Sequence, residues 1–290
     1  MKYGIIIFFF AFLLLASCEE NKLEDSFIEI PTEVQTELDK WIDVQFRIPY
    51  NINVIYRWNN TVVDQSRVLV PPKEELVQAF LQAVIKIWIH PYNLVAENKE
   101  EFMKDYTCRE LVLVGSGSYN QGSVTLGEAA NGYRITLYTV NQFDLRTGGI
   151  SRSRLQLFFR TMHHEFAHVL NQRKPYDPNF KRITGGYTAD WTSLSDIQAR
   201  ELGFISAYAR SDEREDFVET LAFFITYTES EWQQLLNSIQ NTRGRENILL
   251  KLQSVNTYMQ ETYKVDITQL REKITKAISE VASGNLEINL

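Results

Sequence analysis

Two cysteines, Cys18 and Cys108, are all that 290 residues contain. That excludes a disulfide-stapled scaffold and leaves apolar burial to hold the fold. The chain is equipped for it, with 44% hydrophobic and 12% aromatic residues. Excess positive charge is also missing: 30 Lys and Arg stand against 37 Asp and Glu, a formal net charge of −7. With no basic stripe visible, the composition argues against a nucleic-acid partner, because phosphate recognition needs one. No internal repeat, low-complexity stretch or Gly/Ser linker divides the chain, so a single domain is expected behind the N-terminal segment. Histidine is scarce, four in all, yet three lie within TMHHEFAHVL at 161–170, and none follows His168.

The N-terminus begins Met1-Lys2 and continues as an apolar run from Ile5 to Ala16, which reads as a secretory signal and is too short to span a bilayer. Its ending, Leu15-Ala16-Ser17-Cys18, resembles a bacterial lipobox. That likeness implies that 1–17 is removed, that Cys18 carries lipid, and that membrane contact is through this anchor only. Lipidation would consume one cysteine and so exclude an internal disulfide; loss of Lys2 takes the charge from −7 to −8 (−7 − 1). Residues 18–31 read as a tether or simply a disordered terminus. The acidic residues after Cys18 are similar to the surface-export signal of Bacteroidetes lipoproteins, implying a surface-exposed outer-membrane lipoprotein. Residues 32–290 are expected to form the single domain.

Apolar spacing predicts a helix over 32–45 and another from Pro72 to about His90, with Leu76, Phe80, Val84 and Trp88 every fourth residue. Residues 51–58 and 110–115 read as strands, and 123–140 as two strands around Asn131-Gly132, a strong hairpin signal. Beyond Gly149 the pattern is helical. Ser151 or Ser153 can cap a helix with Leu155, Phe158, Phe159, Met162, Phe166 and Val169 on its apolar face. A loop at 173–193 follows, then helices near 194–203, 212–228, 230–241, 244–263 and 266–283, with Ser230 and Gln233 as one capping box. The expected class is α+β, with a mixed N-terminal lobe (about 32–172), a mainly helical C-terminal lobe (about 173–290), and the His-rich helix between them.

His164 and His168 are four apart, so a helix projects both from one face, where they can share one ion. His163 falls off that face. Glu165 is placed to act as general base for a zinc-activated water and then to protonate the leaving amine. Zinc suits this chemistry, since it polarises a carbonyl and lowers the pKa of its water to about 7. A catalytic zinc takes three protein ligands, and with no later histidine the third should be a carboxylate. Glu215 and Glu219, in EDFVETLAFF, lie four apart on an otherwise apolar helix, a costly arrangement unless something positive meets them. One Zn2+ would meet Glu215, and the ring N–H of a ligand histidine would meet Glu219. Asp216 is the next candidate for the third ligand, whereas a solvated acidic first turn accounts for Asp212 and Glu213.

HExxH followed by a distant E-x-x-x-E helix resembles the gluzincin pattern, and the spacing, 215 − 168 = 47, is closer to the anthrax-lethal-factor-like branch than to thermolysin. That likeness implies that Tyr208, seven before Glu215, points at the metal and donates to the developing oxyanion; an ordinary core or surface aromatic is the alternative. More broadly, the lipobox, PYNINVIYRW, VPPKEELVQAF, HHEFAHVLNQ, GFISAYA and EDFVET resemble zinc metallopeptidase lipoproteins of Sus-type TonB-dependent import systems in Bacteroidetes. The likeness implies a zincin-like fold, a peptide or protein substrate and an importer complex as partner. Two functions stand: a surface-anchored peptidase, or a non-catalytic zinc-containing accessory lipoprotein of an importer. Retention of His164, Glu165, His168 and Glu215 favours the enzyme; a non-peptide amide or ester substrate stays open. A zincin lays an extended peptide across the metal, so the strand at 133–140 is expected to be the sheet edge beside the cleft.

Overall fold

The computed structural model describes residues 35–288, apart from 65, 100, 121, 122, 126, 131 and 146–149. The lipobox, Cys18 and the tether lie outside the described residues. Helix α1 runs Glu37–Ile42, passes through a π-helical turn at Asp43–Arg47 and ends at Ile48–Tyr50. Of the strand expected at 51–58 only β1, Asn53–Ile55, is paired. Helix α2 runs Glu74–Val84, continues through a π-helical turn at Ile85–Ile89 and ends at His90–Val95. Its middle is buried all round, from Ile85 to Ile89, with Lys86 there paired to Glu280 at 2.8 Å. A short α3, Glu101–Tyr106, is too brief to show a period in the sequence.

Five more strands follow: β2 (Glu110–Leu113), β3 (Ser118–Asn120), β4 (Ser123–Thr125), β5 (Gly127–Ala130) and β6 (Arg134–Leu137). The main sheet has the order β1-β2-β6-β5, and β3 pairs with β4 separately. The hairpin about Gly132 forms, with φ of 64° at that glycine and β5 antiparallel to β6. Strand β6 also pairs in parallel with β2, so the expectation that 133–140 is the edge is corrected. Ile135, Thr136 and Leu137 are all buried, and a strand covered on both faces belongs inside a sheet. The edge falls instead to β5, whose Gly-Glu-Ala-Ala is small, charged and half-exposed.

The rest is helical: α4 (Arg152–Arg173), α5 (Asp196–Glu201), α6 (Glu213–Thr226), α7 (Glu229–Ser238), α8 (Thr242–Tyr263) and α9 (Ile267–Ala282). Ser151 caps α4, its side chain accepting from the Arg154 N–H. The box that caps α7 is Thr228 with Glu231, not Ser230 with Gln233. Glu231 also holds Arg152 at 2.5 Å, so a partner 79 residues away fixes the box that forms. Helix α4 packs on α6, α9, α2 and β5, and its apolar face joins Trp88, Tyr92 and Phe217 in the core. His163 belongs to that core, with Nδ1 3.4 Å from the Tyr92 hydroxyl. Its complete burial lowers its pKa to about 3. Among the described residues no helix is long and apolar enough to cross a membrane.

Candidate metal centre

Helix α4 brings His164 and His168 to one face by its pitch, with their Nε2 atoms 3.2 Å apart. The first turn of α6 lies across them, and Glu215 Oε2 stands 3.1 Å from His164 Nε2 and 3.2 Å from His168 Nε2. These three atoms form a nearly equilateral triangle. Ligands of a tetrahedral zinc, bonded at about 2.0–2.1 Å, stand about 3.3 Å apart, so the donor set of two imidazoles and one carboxylate fits that ion. Two ring nitrogens and a carboxylate oxygen facing one another so closely repel unless positive charge sits among them. Burial opposes charge on His164, but hydrogen bonds to Glu215 and Glu219 outweigh it and push its pKa up to about 10. Burial likewise opposes charge on Glu215, yet its contacts with both histidines hold its carboxyl far below the usual range. Together the three donors form a group that could hold a metal ion.

Glu219, one turn further along α6, holds His164 from behind. Its Oε1 is 2.8 Å from His164 Nδ1, which leaves Nε2 to face the cleft. Its Oε2 accepts from the Ser206 hydroxyl at 2.6 Å. Ser206 was not expected; nothing in GFISAYA marks it, since its partner arrives only by tertiary packing.

Glu165 is almost buried at the cleft wall. Burial raises its pKa, partly offset by the nearby histidines and by the Ala129 N–H of β5. That strand lies close: a Cβ on Gly127 would sit 2.9 Å from Thr161 Cγ2 and 3.4 Å from Glu165 Cγ. Only glycine lets β5 rest there without something shifting. Tyr208 begins a 3-10 turn and lines the cleft. Its ring centre is 5.9 Å from that of His164 and 5.0 Å from that of Trp191. Burial and the neighbouring Glu215 raise its pKa, so it remains a protonated donor.

Asp216 is not placed as a ligand. It is fully buried on the other side of α6, 2.6 Å from Lys251 Nζ. Its position next to Glu215 turns its side chain about 100° away around the helix. Asp212 caps α6 by accepting from the Arg214 N–H. The cleft, about 650 Å³, extends past His168 along Asn171 and Gln172, with Tyr176 and Lys181 of the 173–193 loop as a wall.

The sequence model of a family described as "Putative zinc-binding metallo-peptidase" matches residues 31–268. A crystal structure from Bacteroides caccae with the same description is similar, with a TM-score of 0.71 and 31% identity over 86% of this chain and 96% of that one. No curated protein matches.

Proposed function

The chain belongs to this family of zinc-binding metallo-peptidases, and from that premise we propose that it is a gluzincin-type HExxH peptidase with a zincin-like fold. In this reading His164, His168 and Glu215 hold one zinc ion and Glu165 is the general base. The observation that carries it is the triangle of donor atoms, 3.1 to 3.2 Å on a side, with Glu165 at its rim. Zinc held there acts as a Lewis acid, polarising a carbonyl and lowering the pKa of water to about 7. Glu165 takes the proton of the attacking water on its carboxylate and passes it to the leaving amine nitrogen. The Tyr208 hydroxyl donates to the oxygen that gains charge at the scissile carbon. Glu219 keeps the His164 proton on Nδ1, and Ser206 keeps Glu219 in place.

The outer edge of β5, unpaired among the described residues, is the surface on which an extended peptide pairs. Gly127 packs on Thr161 and Glu165, and Gly132 on Gln172, so β5 and α4 run the same way. A peptide antiparallel to β5 therefore lays its acyl side along Gln172 and the loop wall, and its amine side toward Thr161. Lipid attachment at Cys18, display on the outer membrane and association with a TonB-dependent importer complete the proposal; they rest on the lipobox and the acidic residues behind it.

The test is zinc content of purified residues 19–290 beside cleavage of a broad peptide library, with Glu165→Gln as control. One zinc per chain in both proteins and cleavage by the wild type alone are expected. Zinc without cleavage would move the reading to the accessory lipoprotein, and absence of zinc would end it.

A further inference from the structure

One buried pair of charges has no part in the chemistry above. Lys251 Nζ on α8 lies 2.6 Å from Asp216 Oδ2 on α6, and neither side chain is exposed. The same ammonium donates to the Gly203 carbonyl at 2.7 Å and sits 4.0 Å from the centre of the Phe204 ring. The Tyr187 hydroxyl donates to Asp216 Oδ2 at 2.8 Å, while Asp216 Oδ1 has no partner. As a stabiliser such a pair is poor. Desolvating both ions costs about as much as their attraction returns, and apolar residues of the same volume often do as well or better. What it supplies is a fixed point shared by four segments.

We propose that Lys251 is a positioning residue of the metal centre, clamping the Glu215 end of α6 to the 203–208 segment that carries Ser206 and Tyr208. The inference rests on the metal reading above. Asp216 follows Glu215, so holding its carboxylate fixes the rotation of the first turn of α6. Gly203 leads through Ser206, whose hydroxyl holds Glu219, to Tyr208. Both carboxylates and the phenol are thus referred to one ammonium that touches none of them.

The close approach is written into the residues of α8. Gly244, Asn247 and Lys251 are spaced three and four apart and share one face. A Cβ on Gly244 would stand 2.5 Å from the Glu201 carbonyl oxygen and 2.7 Å from that of Arg200. Gly203 has φ of +91°, and a Cβ there would stand 2.8 Å from Asn247 Cβ. Either addition pushes α8 away and takes Lys251 off its two acceptors.

The test uses the mature chain with zinc alone as the probe. Lys251→Met by itself leaves Asp216 buried and unpaired, so the deciding variant is Lys251→Met/Asp216→Asn, which leaves no charge unpaired. It is expected to fold with the wild-type circular dichroism spectrum. Its zinc affinity by chelator competition should fall about 10- to 100-fold, as for other groups that support a ligand, with kcat lowered more than KM changes. Gly203→Ala keeps both charges but displaces α8, and should weaken zinc binding in the same direction. As control, Arg152→Met/Glu231→Gln removes the pair at the start of α4 and should lower Tm with zinc affinity unchanged. Wild-type zinc affinity in Lys251→Met/Asp216→Asn or in Gly203→Ala overturns the clamp, as does an equal loss in the control. A wild-type chain that binds no zinc overturns the metal reading itself, and the clamp with it.

Discussion

Removing Glu219 tests whether a carboxylate that never meets the metal nevertheless sets its affinity. In the structure one oxygen holds His164 Nδ1 at 2.8 Å and the other accepts from Ser206 at 2.6 Å. Glu219→Ala strips both contacts, frees the imidazole to turn, and leaves two buried donors without partners. Losing such a support costs about 10- to 100-fold in metal affinity, or about 1.4 to 2.8 kcal/mol at 1.4 kcal/mol per decade. Glu219→Gln separates geometry from charge. Its amide oxygen still accepts from His164, while its NH2 cannot accept the Ser206 proton, so the negative charge and that one hydrogen bond are lost. The alanine variant should therefore sit near the upper end of that range and the glutamine variant near the lower. Chelator-competition titrations of zinc into both proteins measure this directly. Wild-type affinity in Glu219→Ala would refute the reasoning, because His164 would then be oriented by something else. A glutamine variant as weak as the alanine one would refute the hydrogen-bond account and leave only charge.

Glu215→Ala should lose stoichiometric zinc while Glu213→Ala retains it, read by metal analysis after dialysis; a full complement in Glu215→Ala would move the third ligand elsewhere. Ala129→Pro, at the sheet edge where proline is tolerated, removes the N–H that lies against Glu165; it should fold and keep zinc yet lose about fivefold or more in peptide cleavage, a backbone hydrogen bond being worth about 1 kcal/mol. Thr136→Pro, in the doubly paired β6, should not fold; a folded and active Thr136→Pro would restore 133–140 as the edge. Burial pushes the Cys108 thiol up to about 12, so at pH 8 the thiolate is about one part in ten thousand. A disulfide reagent should spare it in the folded chain and consume it in guanidinium. Metabolic labelling with a palmitate analogue should mark the wild type and not Cys18→Ser, and equal labelling of both would remove the lipid anchor.

Local spacing was enough to bring together most of the candidate site. Four residues along a helix return a side chain to the same face, so HEFAH alone places His164 and His168 together, and Glu215 with Glu219 follow from the same rule and the cost of burying bare carboxylates. The helical second half was legible for the same reason, since long helices repeat their period many times. Contacts made across the chain were not legible. Whether 127–130 or 133–140 lies at the edge depends on which of them β2 meets, and the two-residue period is identical either way. Asp216 and Glu215 are adjacent acids in sequence, yet helix rotation sends one to the histidines and the other to Lys251, 35 residues on. Thr228 prevails over Ser230 as the cap because Glu231 is already held by Arg152. Sequence determined which side chains share a face, because that is set by bond geometry over a few residues. Only the tertiary structure decided what each face meets, because that depends on the packing of segments whose separation along the chain carries no record of their distance in space.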